Sequence, residues 1–197
     1  MLIEATIGIA ALAIVFLIVF YRDPSRHPPP GNTVASPADG KIIGIIPYGK
    51  ELAVRKGTHG IVQNVTEGGP KKGVIIAIFM RVWDVHVNRC PVEGKVMKVR
   101  HQDGKFQPAQ RIQWENEKNE ILLKHKTLGV IKVIQVAGLI ARRIICFTRK
   151  GEMLKKGQRL GKIVLGSQVL LVLPHGVGIM VKKGDFVKAG ESVVARY

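Results

Sequence analysis

Acidic residues are scarce in this 197-residue chain: 14 Asp and Glu stand against 31 Lys and Arg, for a net charge of +17. That imbalance argues against basic partners and favours anionic ones, either nucleic acid or a lipid surface. Aromatic residues are also few, at 6%, and no motif for base stacking or groove reading occurs, so nucleic acid is disfavoured. Only two cysteines are present, Cys90 and Cys146. Both lie in apolar runs without CxxC spacing, which leaves no disulfide framework and no cysteine metal site; they read as reduced, small core residues. Beyond residue 30 no long amphipathic helical pattern appears; VAGLIARRI (136–144) is at most a short helix.

One stretch lacks charge altogether. From Ala5 to Tyr21 (ATIGIAALAIVFLIVFY) there is no ionisable Lys, Arg, Asp or Glu, and Arg22, Asp23 and Arg26 follow at once. At about 1.5 Å rise per residue the run is just long enough to cross a hydrocarbon core. A cleavable signal would carry a basic segment before the apolar run and small residues after it. Here all the Lys and Arg follow the run, which predicts an uncleaved single-pass anchor over 1–21 in the cell membrane with the large domain on the cytoplasmic side. Residues 22–32, with Pro24 and Pro28-Pro29-Pro30, form a stiff connector.

The remainder, 33–197, reads as β structure. Short apolar runs (IIGIIP, GVIIAIFM, GKVMKV, GVIKVIQVAG, RIICF, GKIVLG, QVLLVLP, GIMVK, SVVAR) alternate with glycine-containing turns. An internal echo accompanies them. KGEMLKKGQRLG (150–161) aligns with KGDFVKAGESVV (183–194), and PADGKIIGI (37–45) with PVEGKVMKV (91–99). Such recurring strand-and-turn units resemble the hammerhead β-structures of biotinyl and lipoyl domains, so the expected fold is mainly β, a barrel-sandwich hybrid behind an N-terminal transmembrane helix. The modifiable lysine of a carrier hairpin is missing, so the fold resemblance does not bring carrier function with it.

Three stretches hold residues with chemical potential. FMRVWDVHVNRCPVEGKV (79–96) puts His86 in an extended segment whose alternation sends Asp84, His86 and Asn88 to one face. VASPADGKI (34–42) offers Asp39 at a turn, and GKIVLGSQV (161–169) offers Ser167 after Gly166. The Gly166-Ser167 pair interrupting an apolar strand has a plain explanation as a bulge or bend. Ser, His and Asp are also the elements of an activated nucleophile, in which the imidazole takes the hydroxyl proton and the carboxylate orients the ring.

These blocks, with YRDPSRHPP, HQDGKFQPA, ENEKNE, VAGLIARRI, KKGQRLGKIVLGSQV and VKKGDFVKAGESVVA, resemble the short form of the phosphatidylserine decarboxylase proenzyme family from Tyr21 to the C-terminus. An archaeal archaetidylserine decarboxylase is one form this could take. Gln168 departs from the Arg or Thr usual after the serine, and VLLVLP lacks a polar residue often found there. The resemblance implies that Ser167 attacks the carbonyl of Gly166 and is converted to a covalent pyruvoyl group, with His86 as base and Asp39 as its orienter. It implies self-cleavage into a long chain, 1–166, and a short chain, 167–197, which stay together as a heterodimer, with exposed sheet edges leaving room for further dimerisation. The pyruvoyl group would form a Schiff base with a serine-headgroup phospholipid and replace PLP; no metal is called for. His86 would also return the proton once CO₂ has left. The same Ser167, His86 and Asp39 would equally serve a membrane-anchored serine peptidase, and the β-repeats a non-catalytic biotinyl-like adaptor. A basic nucleic-acid binder ranks behind both.

Overall fold

The computed structural model describes residues 2–49, 65–105, 112, 115–138, 143–164 and 167–197. Helix α1 (Leu2–Tyr21) is built from the uncharged run. Its segment Ile3–Tyr21, with a mean hydropathy of 2.6, is long and apolar enough to cross a membrane, and nearly all its side chains are exposed. It stops where Asp23 precedes Pro24, a residue pair that disfavours the α conformation.

Fourteen strands follow: β1 (Thr33–Ala35), β2 (Gly40–Tyr48), β3 (Gly73–Met80), β4 (Val87–Arg89), β5 (Gly94–Gln102), β6 (Lys118–His125), β7 (Gly129–Val136), β8 (Ile144–Cys146), β9 (Met153–Leu154), β10 (Arg159–Ile163), β11 (Ser167–Pro174), β12 (Gly178–Ile179), β13 (Phe186–Val187) and β14 (Val193–Arg196). Eight form one sheet in the order β13-β2-β3-β11-β7-β6-β5-β9, which curls into a half-barrel. Two three-stranded sheets, β1-β14-β12 and β4-β10-β8, complete the domain. The domain is therefore mainly β, as the alternation of apolar runs and glycine turns implies. The sequence reading passed over β6, whose Lys118-Asn119-Glu120 start hides a buried strand, and the short strands β1, β4, β9 and β13. Residues 139–142 of the segment VAGLIARRI lie outside the described residues.

β3 and β11 are apolar without alternation because both of their faces are covered. Ile76, Ile78, Val169, Leu171 and Leu173 enter the large core, while Ile75, Ala77, Leu170 and Val172 enter a smaller one on the opposite face. Cys90 lies in the large core, as a small apolar residue would, and both cysteines are free.

The sequence echo is visible as paired backbone geometry. β2 meets β13 through Gly40↔Val187 and Lys41↔Phe186, and β5 meets β9 through Gly94↔Leu154 and Lys95↔Met153. The two proline turns then cross: the Ala35 N–H donates to the Pro91 carbonyl and the Arg89 N–H to the Pro37 carbonyl, each at 2.9 Å. Gly40, at φ +146, is required there, since a Cβ would run into the Phe79 carbonyl.

The connector is tied down over this junction. Arg26 donates to Asp39 at 2.9 and 3.1 Å and to Glu191 at 3.0 Å. Asp23 accepts from Arg89 at 2.6 Å and also pairs with Arg159. Lys156 reaches the carbonyls of Pro29 and Gly31 at 2.8 and 2.9 Å. Gly157, at φ +80, leaves room for Pro28.

Candidate active site

Ser167 opens β11 in register with Met80 on β3. It shares strand parity with Val169 and Leu171, so its side chain faces the large core and is fully buried. Its hydroxyl lies 3.5 Å from the Met80 sulfur, which Asn88 Nδ2 also approaches, at 3.6 Å. Asn88 is part of a buried polar chain. Gln135 Nε2 donates to Asn88 Oδ1 at 2.8 Å, and Asn119 Nδ2 to Gln135 Oε1 at 2.9 Å. Gly166 and its carbonyl lie outside the described residues.

His86 immediately precedes β4. Its Nδ1 lies 2.8 Å from the Asp84 backbone carbonyl, a group that can only accept. Nδ1 therefore carries the proton, and the lone pair is left on Nε2. Nε2 is buried and has no hydrogen-bond partner among the described residues. Burial pushes the imidazole pKa down to about 4, with Arg22 adding to the effect and Asp84 opposing it. The ring is thus neutral at pH 7, with a bare nitrogen, which is the state a general base requires. The fixed carbonyl contact, more than any carboxylate, sets its tautomer.

Asp39 does not touch the imidazole. The expected contact between its carboxylate and the ring is not formed, because Arg26 and the Ala189 N–H, at 2.7 Å, take both oxygens. Burial raises its pKa, while the Ala189 N–H and Arg26 pull it back. Asp84, which shares the extended segment with His86, is in turn committed to Arg81 at 2.8 Å. Ser167 and the His86 segment come to the same corner of the sheets, one on β11 and the other beside β4. No hydrogen bond joins the hydroxyl to the ring.

Sequence reasoning missed the contribution of the anchor. Phe20, the one large side chain of α1 that is buried, packs on His86 with ring centroids 4.3 Å apart. Arg22 fastens the foot of the helix by donating to the Trp83 carbonyl at 2.5 Å. The available signal was the aromatic pair Phe20-Tyr21 just before the first basic residue, an interfacial pattern. A cavity of about 170 Å³ lies between this foot and the sheet, lined by Phe20, Tyr21, His86, Phe147, Lys162 and Val164 among others. The β10 segment that lines it runs on to Ser167. A buried hydroxyl at a strand start, a bare imidazole nitrogen and an adjoining cavity fit a prosthetic group made from Ser167. Among the described residues no cluster of His, Cys, Asp and Glu could hold a metal ion.

The phosphatidylserine decarboxylase family profile matches residues 14–195. A protein of Methanothermobacter thermautotrophicus, provisionally named archaetidylserine decarboxylase proenzyme, is 42% identical over 196 residues, covering 97% of this chain and 85% of its own. Phosphatidylserine decarboxylase proenzyme of Chlorobium limicola is 38% identical over 187 residues, covering 93% and 80%. A Methanocaldococcus jannaschii protein with the same provisional name as the first is 37% identical over 186 residues, covering 92% and 90%.

Proposed function

Because this chain belongs to the phosphatidylserine decarboxylase family, we propose that it makes its own pyruvoyl group by cleavage between Gly166 and Ser167 and uses it on a serine-headgroup phospholipid. The chain is a decarboxylase that removes CO₂ from a serine phospholipid. The observation that carries the finer reading is the pairing of a fully buried Ser167 with a neutral, unpartnered His86 nitrogen. A peptidase acting on other chains needs an accessible hydroxyl. A hydroxyl buried at the start of a central strand is suited to attack its own chain.

In the cleavage, His86 Nε2 takes the Ser167 hydroxyl proton and the oxygen bonds to the carbonyl carbon of residue 166. The C–N bond breaks, its nitrogen gains a proton, and an ester joins the two segments. Loss of the Ser167 α-proton then expels the new carboxylate of residue 166, and water replaces the nitrogen left on residue 167, which departs as ammonia. Proximity supplies the rate, since nucleophile and carbonyl are neighbours in one chain. The pyruvoyl group would supply a carbonyl able to bind the serine amine and an electron sink for the departing CO₂. His86 Nε2, holding the proton given up by the serine ammonium, would return it to the carbon that CO₂ has left.

Asp39 acts at one remove: by holding Arg26 it seats the connector, and with it Phe20 on His86. The short chain 167–197 begins with β11, hydrogen-bonded between β3 and β7, so the two chains stay together after cleavage. The matched turns support a barrel-sandwich hybrid of two hammerhead units, and the charge asymmetry around α1 supports a cytoplasmic domain on an anionic membrane. Intact-mass measurement of the purified protein should give fragments 1–166 and 167–197, the second without an α-amine, and Ser167→Ala should give one uncut, inactive chain. An uncut wild-type chain that still decarboxylates would overturn the proposal.

A further inference from the structure

The geometry points to Lys162 as the residue that recognises the phosphodiester of the lipid headgroup, a role that rests on the decarboxylase reading above. Lys162 lies in β10, in register with Val87 of β4, the neighbour of His86, and it lines the same cavity as the imidazole. Its ammonium lies 5.0 Å from the Tyr21 ring centroid at the foot of α1. No carboxylate pairs with it among the described residues. Three other cations beside it are committed: Arg89 and Arg159 to Asp23, and Arg22 to the carbonyls of Val19 and Trp83. Those pairings also neutralise Asp23, the cavity's one carboxylate, so it does not repel an anion.

Depth in the membrane supports the assignment. A helix ending at Tyr21 puts its last turn at the level where headgroups begin. An amphipathic lipid has its charged diester at that height and its serine beyond it. A cavity with aromatic walls, a half-buried ammonium and a buried imidazole presents the groups that such a headgroup needs. The acyl chains would leave along α1, where Phe16 and Val19 are exposed. A lysine half sheltered between Tyr21 and the sheet binds an anion more strongly than one in open water, because fewer water molecules screen it.

The test uses full-length protein in detergent micelles and dihexanoyl phosphatidylethanolamine, whose headgroup has no carboxylate to lose, followed by titration calorimetry. Lys162→Gln should weaken binding about tenfold or more, the scale of one charge-assisted hydrogen bond. Lys162→Arg should restore it, and Lys95→Gln, on the exposed face of β5, should leave it unchanged. With dihexanoyl phosphatidylserine the Lys162→Gln change should raise KM and leave kcat nearly constant. Equal binding by Lys162→Gln and wild type overturns the inference, as does loss that Arg does not rescue. Inorganic phosphate competing as well as the lipid would assign the site to free phosphate and overturn it too. Lysine-dependent lipid binding by a chain that does not decarboxylate would sustain this inference while defeating the decarboxylase reading.

Discussion

Asp39 and Glu93 occupy matching positions in the two proline–acid–glycine turns, yet their surroundings are opposite. Asp39 is buried against Arg26 and the Ala189 N–H, whereas the Glu93 side chain is 61% exposed and pairs with Lys126 at 3.9 Å. The backbones of the two turns answer each other strand for strand, so the difference comes from what lies over them. The connector crosses the junction and offers each turn the charge it lacks: Arg26 to Asp39 in the first copy, Asp23 to Arg89 in the second. The same offset that pairs Ala35 with Arg89 pairs Asn32 with His86. The first turn thus holds the connector through its acid, and the segment leading into the second carries His86.

The sharpest way to break this comparison is at its most unequal pair. His86→Ala should slow self-cleavage by about 10²- to 10⁴-fold, the usual worth of a positioned base, while Asn32→Ala should leave it unchanged. A time course of cleavage read by intact mass decides, and normal processing in His86→Ala would remove the base from the second copy.

The acids give the next contrast, best measured by denaturant unfolding in the uncut Ser167→Ala background. Asp39→Asn leaves Arg26 buried with half its partners and should cost about 3 kcal/mol. Glu93→Gln should cost less than about 0.5 kcal/mol, since exposed pairs contribute little. Equal losses would mean that the two turns are not energetically distinct.

The smallest effect is the pH dependence that His86 contributes in the second copy. His86 has a folded pKa of about 4, against about 6.5 in the unfolded chain. The unfolded state therefore binds more protons between these values. The stabilisation is complete above pH 6.5 and is lost as pH falls toward 4, by at most about 3 kcal/mol. His86→Gln should flatten that part of the stability curve and Asn32→Ala should not. An unchanged slope in His86→Gln would place the titration elsewhere.

The long apolar helix and the β character of the domain were legible in the sequence because they rest on local signals. An uncharged run followed by arginines needs no partner to be recognised, and apolar runs punctuated by glycine need only the strand period. The strands GVIIAIFM and QVLLVLP were found for this reason. β6 was not, because its polar opening residues are buried only by pairing across the adjacent strands, Asn119 with Gln135 and Glu120 with Lys132 and Arg100.

Ser167 and His86 could be named from their motifs, and so could Asp39, but their relations could not. Whether Asp39 meets the imidazole or Arg26 depends on where the connector runs, and that path is fixed by ion pairs spanning the length of the chain. The packing of Phe20 on His86 joins a membrane helix to a sheet edge that no short-range pattern links to it. Nor does the sequence distinguish Lys162 from the other lysines, because what sets it apart is its place in the cavity beside Tyr21 and His86. The sequence by itself determined which chemical groups exist and which segments become helix or strand, since those follow from covalent identity and local periodicity. Tertiary structure alone decided which groups are paired, buried or left bare, because desolvation and charge pairing depend on neighbours that only folding brings together.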